Sequence, residues 1–422
     1  MYIKSIKKVG ITARETQKTD ERPTRMSLRF HWFLPTNGDG RDIVGGGHGV
    51  ATGAAGAIRP PSVRYLGQIA RSAEQLGFEA ALTPTGAWCE DAWLTCAMLT
   101  EVTERLKFLV AFRPGQISPT LSAQMASTFQ RQSQGRLLLN VVTGGESAEQ
   151  RAYGDFLDKD QRYERTAEFL DIVRRLWQGE TVIAAGKHLR VDKAQLSHLP
   201  DPVPDVYFGG SSKAAGPVAA RYSDVYLTWG EPPDAVNRKL RWIEAEADRQ
   251  NRKLRFGIRL HTISRDTSEQ AWRQADYLME RVTDDMIAKV QAGLAASESQ
   301  GQQRMRALHQ GGDRRKLEVY PGLWAGVGLV RGGAGTCLVG SHEEVADLIE
   351  EYAAAGVTEF ILSGYPHLEE AYWFGEGVLP ILERRGRWRH PAPPTGAPQT
   401  IVPFTPTHPA AQQEPTDRMA AS

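Results

Sequence analysis

Residues 107–142 read KFLVAFRPGQISPTLSAQMASTFQRQSQGRLLLNVV and contain one complete strand–helix–strand unit. Apolar runs at Lys107 to Phe112 and Leu137 to Val142 flank a helical pattern from Thr120 to Gln132. Strands that are apolar on both faces have to be covered on both sides, as happens when helices pack against a parallel sheet. The stretch therefore predicts a parallel βαβ unit.

The same alternation continues in both directions along the chain. Six further strand patterns are at Arg29 to Leu34, Ala80 to Pro84, Asp205 to Phe208, Val225 to Trp229, Arg255 to Ile263 and Glu359 to Ser363. Helical patterns separate all eight strands, and the first of them begins after Ser62 and ends at Gly77. Eight buried strands alternating with helices favour a closed barrel over an open sheet. We predict an α/β fold, a (β/α)8 TIM barrel, over residues 26–385.

Segments outside the repeat have a different composition. Residues 1–25 are polar and predict a disordered extension, and residues 386–422 form a Pro-rich C-terminal tail. The Gly/Ala-rich stretch at 45–57 lacks the lysine of a phosphate loop and predicts a flexible loop. Residues 290–336, polar and Gly-rich, predict a long lid insertion before strand eight, because long irregular loops in compact domains are usually functional.

Composition restricts the partners of the 422-residue chain. A formal net charge of +1 gives no general attraction to nucleic acid or to an anionic membrane, and no run is long and apolar enough for a membrane helix. Three scattered cysteines predict neither a disulfide framework nor a metal site, and the histidines show no metal-binding spacing. We expect a cytoplasmic protein that acts on small molecules without a metal.

Chemistry-bearing residues follow the predicted strands, at the barrel end where active sites form. Arg259 and His261 share the polar face of one strand, opposite Phe256, Ile258 and Leu260. A buried cation beside a titrating group predicts an anion site with an acid or base attached. A carboxylate partner for the arginine and a structural histidine are the other interpretation.

Other strand ends also remain open to two interpretations. The Gly209, Gly210, Ser211 and Ser212 turn leads into a helix, so it is either a phosphate site or a plain tight turn. Cys89 is either a reactive or a structural thiol, and Tyr365 is either an acid or a packing residue.

Taken together, several segments identify a family. They are residues 32–36 (WFLPT), 85–93 (TGAWCEDAW), 140–144 (NVVTG), 208–212 (FGGSS), 227–233 (LTWGEPP), the strand with Arg259 and His261, 323–336 and 363–372. From Met26 to Arg384 the chain resembles the FMNH2-dependent alkanesulfonate monooxygenases of the bacterial-luciferase-like flavin group. The resemblance implies that a separate NAD(P)H-dependent FMN reductase supplies reduced FMN. The protein would use it with O2 to convert an alkanesulfonate into an aldehyde and sulfite for sulfur acquisition.

The resemblance also implies roles for individual residues. Arg259 and the lid residue Arg331 would bind the sulfonate, with His261, Tyr365 and Trp229 lining the same pocket, and Cys89 would lie beside the flavin. Flavin-holding residues would be Thr85, Asn140, Thr143, Tyr163, Ser211 and Ser212. Closure of the lid would exclude water and bring in Arg331. The family further implies a homodimer or homotetramer.

Related activities remain as alternatives at this stage. The chain departs from the family pattern at its N-terminal extension, at the Gly/Ala-rich loop after the first strand and at Ala87 and Trp88. The loop and Trp88 border the expected pocket, so the preferred chain length is open. A sister enzyme would oxidise methanesulfonate or dimethylsulfone, and a more distant relative would transfer hydride with coenzyme F420. The alternative of another class is a non-catalytic flavin- or anion-binding protein. Such a protein would bind reduced FMN, and its reaction with O2 would yield only peroxide.

Overall fold

A computed structural model describes residues 27–44, 59–310 and 316–391. The predicted extension at 1–25, the loop at 45–57 and the tail from residue 392 onward lie outside these ranges. Within them, no helix is long and apolar enough to cross a membrane.

The strands and helices alternate along most of the chain. The strands are β1 Arg29–Phe33, β2 Ala80–Thr83, β3 Lys107–Phe112, β4 Leu137–Val141, β5 Val182–Ala185, β6 Arg190–Ala194, β7 Val206–Gly209, β8 Val225–Trp229, β9 Arg255–Arg265, β10 Glu318–Tyr320, β11 Leu323–Trp324, β12 Cys337–Ser341 and β13 Glu359–Ser363. The helices are α1 Val63–Leu76, α2 Ala92–Leu99, α3 Pro119–Gln132, α4 Ser147–Ala152, α5 Lys159–Trp177, α6 Ala215–Tyr222, α7 Pro233–Asp248, α8 Ser268–Met279, α9 Asp284–Ala295, α10 Gln300–Leu308, α11 His342–Ala354 and α12 His367–Arg384.

Eight parallel strands close into a barrel, as predicted. Around the ring the order is β9, β13, β1, β2, β3, β4, β7 and β8, and β8 pairs with β9 to complete the circle. Alternation along each strand divides the core into two layers. In β1, Trp32 belongs to the layer between strands and helices, and Phe33 belongs to the cluster that fills the barrel together with Leu109, Tyr207 and Ile361.

Local sequence signals set the helix ends. The side chain of Ser62 accepts a hydrogen bond from the Tyr65 N–H at the start of α1, and Gly77 ends that helix with a φ of 89°. Asp158 and Gln161 form a capping box at the start of α5. The predicted end signals of α1 are therefore confirmed.

Strand β9 is longer than the other barrel strands, because two strands pair with it in succession along one edge. Residues 255–259 pair with β8, and residues 261–265 pair with β12, whose Cys337 lies opposite His261. The sequence analysis did not predict β12. It also missed the antiparallel β5–β6 hairpin outside the barrel.

The insertion, which we define as residues 284–336, contains more regular structure than the irregular loop that was expected. Helices α9 and α10, strands β10 and β11 and a 3-10 helix at Gly326–Leu329 make up most of its described part. It contacts the loop after β4, since the Glu298 N–H donates to the Gly145 carbonyl at 3.2 Å. A Cβ atom on Gly301 would lie 3.1 Å from the Trp229 ring, so α10 lies directly against the end of β8. A lid role for this segment stays a prediction.

The amino end of the barrel encloses a buried charge cluster. The Glu359 carboxylate accepts a hydrogen bond from the Tyr207 hydroxyl at 2.6 Å and lies 3.3 Å from His31 Nε2 and 3.1 Å from Arg255 Nη1. Burial alone would raise the pKa of Glu359. The hydrogen bond and charge of His31, together with Arg255 and Tyr207, instead hold that pKa at about 2.

Residues 386–391, which the sequence analysis assigned to the tail, pack against the barrel. The Leu28 N–H donates to the Arg387 carbonyl at 2.8 Å, and Trp388 belongs to the layer between strands and helices. The described barrel unit therefore extends to Pro391.

Candidate active site

Two adjoining cavities open at the carboxyl ends of the barrel strands. The serine cavity is lined by Ser211 and Ser212, and the arginine cavity by Arg331 and His261. Residues common to both walls include Asn140, Trp229 and Arg259. A ligand in one cavity would therefore meet a ligand in the other, as a two-substrate reaction requires.

Two guanidinium groups in the arginine cavity lack a carboxylate partner. Arg259 donates to the Leu260 and Ile361 carbonyls and to Ser363 Oγ, and its guanidinium lies 4.7 Å from the centre of the Phe33 ring. Arg331 is 8% exposed, and its guanidinium has no hydrogen-bond or ion-pair partner within residues 27–44, 59–310 and 316–391. A carboxylate partner for Arg259, the other interpretation of its strand, is likewise absent from those ranges.

Burial makes both cations costly in the absence of an anion. Burial, and then the charge of Arg331, lower the pKa of Arg259 to about 9. Burial lowers the pKa of Arg331 to about 10, although the charge of Asp39 acts in the opposite direction. An anion bound between the two would relieve this cost, because each charge would then have a partner.

His261 is held by hydrogen bonds on both ring nitrogens. Arg259 can only donate, so it donates to Ser363 Oγ at 2.8 Å, and the Ser363 hydroxyl is left to donate to His261 Nδ1 at 2.7 Å. The other nitrogen, Nε2, donates to the Ala334 carbonyl at 3.0 Å. Burial, and then the charges of Arg259 and Arg331, lower the pKa of His261 well below its usual value. The imidazole is therefore neutral, and it ties the segment that carries Arg331 to β9.

Tyr365 lies behind Arg331 and is not part of the wall of either cavity. Its ring stacks on His261 with centres 5.5 Å apart, and the Arg331 guanidinium lies 5.3 Å from the ring centre. The Tyr365 hydroxyl is buried and has no hydrogen-bond partner in the described part of the chain. In this arrangement Tyr365 supports the position of Arg331 rather than facing the cavity.

The serine cavity has the features of a phosphate site. The turn at Gly209–Ser212 leads into α6, where Ser212 Oγ accepts from the Ala215 N–H at 3.3 Å. The backbone N–H groups of the turn before Ala215 are therefore the ones left for a ligand. A Cβ atom on Gly210 would lie 2.6 Å from Ala215 Cβ and 3.0 Å from the Tyr163 hydroxyl. Only glycine allows this approach, and Thr143 and Tyr163 line the same cavity.

Two of the residues that were predicted to contact the flavin do not line the serine cavity. Thr85 lines the arginine cavity and not the serine cavity. Cys89 lines neither, and its thiol contacts the Pro84 and Gly86 carbonyls at 3.7 and 3.5 Å. Burial raises the pKa of Cys89 to about 11, so the group is a neutral thiol at pH 7.

Sequence reasoning missed two charged pairs in the cavity walls. Arg113, in the arginine cavity, donates to Glu149 Oε2 at 2.6 Å. Lys239 and Glu231 form a buried ion pair in the serine cavity, and the Lys239 ammonium also donates to Thr228 Oγ1 at 2.9 Å. The position of Arg113 after a strand was a usable signal, but nothing local marked the Lys239 and Glu231 pair.

No group of three or more histidine, cysteine, aspartate or glutamate side chains is placed to hold a metal ion in the described ranges. Besides the Arg113–Glu149 and Lys239–Glu231 pairs, the structure gathers arginines, hydroxyl groups and backbone N–H donors at the two cavities, and these groups suit anions.

Comparison with known proteins identifies a family that matches most of the chain. The model of the luciferase-like monooxygenase family matches residues 28–359, which include every barrel strand up to the first residue of β13.

Solved structures with the same fold cover most of the chain. A riboflavin lyase, solved with modified FMN and riboflavin, is 20% identical with a TM-score of 0.72 over 86% of this chain and 93% of that one. An EDTA monooxygenase from Chelativorans sp. BNC1 is 18% identical with a TM-score of 0.68 over 86% and 96%. A long-chain alkane monooxygenase is 19% identical with a TM-score of 0.66 over 86% and 92%. At these identities the likeness establishes the fold alone.

Proposed function

This chain belongs to the luciferase-like monooxygenase family, and from that premise we propose that it uses reduced FMN and O2 to desulfonate alkanesulfonates. The C–S bond of R–CH2–SO3⁻ is broken, and the carbon gains one oxygen atom to become R–CHO. The other oxygen atom leaves as water, FMNH2 is oxidised to FMN, and sulfite is released.

The observation that carries this proposal is the pair of buried arginines without a carboxylate. A sulfonate has three oxygen acceptors, which match the N–H donors of Arg259 and Arg331. A neutral sulfone such as dimethylsulfone would leave both buried charges without a partner, so the pair favours an anionic substrate. Trp229, which lines both cavities, would supply the apolar wall for the carbon chain.

The residues of the serine cavity fit FMN. The turn at Gly210, Ser211 and Ser212, with the Tyr163 hydroxyl, would hold the phosphate, and Asn140 and Thr143 would contact the rest of the cofactor. When bound, reduced FMN supplies the electrons that activate O2. The predicted role of Cys89 beside the flavin, and the roles of Thr85 and Tyr365, remain predictions.

The protein side chains would orient the substrate and exclude water. Arg259 and Arg331 would bind the sulfonate head and stabilise negative charge on the departing sulfite. His261 would position both arginines through Ser363 and the Ala334 carbonyl. The insertion, which packs against Trp229 and the loop after β4, would shield the reaction from water.

Sulfite release tests this function. The purified protein is combined with an NAD(P)H-dependent FMN reductase, and sulfite is measured with one-, two- and eight-carbon alkanesulfonates and with dimethylsulfone. We expect sulfite from at least one sulfonate and a turnover that depends on the reductase. Binding of reduced FMN with peroxide as the only product would instead identify a non-catalytic flavin protein. Oligomeric state, expected to be a dimer or tetramer, is measured on the same sample by light scattering.

His261→Ala is expected to lower kcat for sulfite release about 100-fold while changing the affinity for reduced FMN less than about threefold. The substitution removes the hydrogen bond that ties the Arg331 segment to β9, whereas the serine cavity does not include His261. Steady-state kinetics and anaerobic titration with reduced FMN give the two values. His342→Ala, outside both cavities, is the matched control. Equal losses in turnover and flavin affinity would assign His261 to flavin binding instead.

Gly210→Ala is expected to weaken the binding of reduced FMN at least about tenfold, or ~1.4 kcal/mol. The added Cβ would collide with Ala215 and Tyr163 and force the phosphate turn open. Anaerobic quenching of tryptophan fluorescence measures the affinity. Gly293→Ala on α9 is the control, because a Cβ there has nothing within 4 Å. Unchanged flavin affinity in Gly210→Ala would place the phosphate elsewhere.

A further inference from the structure

The arginine cavity carries a third guanidinium on its far wall. Arg113 directly follows β3, and β3 is four strands from β9 in either direction around the ring of eight. Arg113 therefore lies across the barrel mouth from Arg259, and both side chains line the same cavity.

Arg113 is only partly satisfied by its own surroundings. Its side chain is 3% exposed, and Nη2 donates to Glu149 Oε2 at 2.6 Å. The other two nitrogens, Nε and Nη1, are buried and have no hydrogen-bond partner within the described ranges. Glu149 cannot turn to serve them without losing a second contact, because its Oε1 accepts from the Ala87 N–H at 3.1 Å. Buried donors without a partner are costly, so this wall is built for an acceptor that a ligand brings.

The net charge of the cavity wall also favours a ligand with an acceptor for Arg113. Its lining includes the cations Arg113, Arg259 and Arg331 and one carboxylate, Glu149, while His261 is neutral. The wall therefore has two more positive than negative charges. A simple alkanesulfonate balances one of them, whereas a molecule with an anionic group at each end balances both.

We propose that the preferred substrates are ω-sulfocarboxylates, with the sulfonate at Arg259 and Arg331 and the carboxylate at Arg113. This inference rests on the proposed desulfonation. The chemistry at the sulfonate end is unchanged: the C–S bond breaks, the carbon gains one oxygen atom of O2, and the other becomes water with the electrons of FMNH2. The carboxylate is retained, so the product is an ω-oxo acid together with sulfite.

The test compares substrates that differ only at the far end. With the reductase-coupled assay, we expect kcat/KM for 4-sulfobutanoate to exceed that for butane-1-sulfonate at least about tenfold. Anaerobic calorimetry in the presence of reduced FMN should show the same order of affinities. The 3-sulfopropanoate and propane-1-sulfonate pair repeats the comparison at another chain length.

Variants at Arg113 and Glu149 assign the preference to this wall. Arg113→Met should bring the ratio of kcat/KM for the two substrates close to one, in both the kinetic and the calorimetric measurement. Arg113→Lys keeps the charge that balances Glu149, so it should retain part of the preference. It also controls for a folding defect caused by the loss of charge in Arg113→Met. Glu149→Gln removes the negative charge and should increase the preference. Arg273→Met, on the exposed face of α8, is the control.

The outcomes separate the inference from the proposed function. No sulfite from any sulfonate would overturn the proposed function. Sulfite released from both members of a pair with equal kcat/KM would overturn this inference alone. An unchanged ratio in Arg113→Met, together with weaker binding of reduced FMN, would overturn it as well and assign Arg113 to the flavin.

Discussion

Replacing Arg331 with methionine is expected to reduce sulfite release about 100-fold or more while making the ligand-free protein more stable. The guanidinium is buried without a hydrogen-bond or ion-pair partner in the described part of the chain, and its pKa is lowered to about 10. Removing a buried charge that binds substrate costs about 2–5 kcal/mol of interaction with the bound anion. Replacing an uncompensated buried charge by an apolar side chain of similar volume should raise the free energy of unfolding by about 1–2 kcal/mol.

Two measurements on one variant check this prediction. Sulfite release with saturating reductase gives the activity, and urea denaturation without ligand gives the free energy of unfolding. Reduced FMN should still bind, because Arg331 does not line the serine cavity. Arg273→Met controls for the loss of an exposed arginine. Normal turnover would remove Arg331 from the mechanism, and a less stable variant would show that the guanidinium has a stabilising partner in the ligand-free protein.

Glu359→Gln is expected to destabilise the barrel by about 3 kcal/mol at pH 7, because it removes a buried carboxylate charge that His31, Arg255 and Tyr207 stabilise in the folded state. The pKa of Glu359 is lowered from 4.5 to about 2, so the folded state binds the proton less tightly than the unfolded state. The resulting stability is fully present above pH 4.5 and is lost as the pH falls toward 2.

Denaturation at several pH values tests both parts of this prediction. The difference between the wild type and Glu359→Gln should be largest above pH 4.5 and should shrink as the solution is acidified. Glu269→Gln, a highly exposed residue on α8, serves as the control. A difference that stays constant between pH 5 and pH 3 would mean that the carboxylate charge contributes nothing.

The barrel could be predicted because its strands are continuous apolar runs. Each of the eight predicted strands is present, and Ser62 and Gly77 mark the ends of α1 as expected. The insertion could not be predicted in the same way. Only Gln302 and Met305 are buried in α10, so this helix shows no apolar stripe. Strand β12 forms because β9 offers it a free edge beyond β8, and that edge exists only in the folded barrel.

Some residues of the candidate site could likewise be predicted from the local sequence, and others could not. Alternation along one strand was enough to place Arg259 and His261 on the inner face of the barrel. Arg331 came from the family resemblance, and the structure brings it to the same cavity. The role of Arg113 could not be read from the sequence, since its partner Glu149 is 36 positions away and its unpaired nitrogens become apparent only from the packing.

The shared edge of β9 has a consequence for how the family can diversify. The segment between Arg265 and Cys337 leaves from the end of β9 and returns beside the same strand, where Cys337 lies opposite His261, so one strand fixes both of its ends. A segment whose two ends are both fixed by one strand can be exchanged for one of another length without disturbing the remaining strands. Transplanting residues 266–336 between relatives should therefore exchange Arg331 and the α10 part of the serine cavity wall together, while Arg113 and Arg259 stay in place.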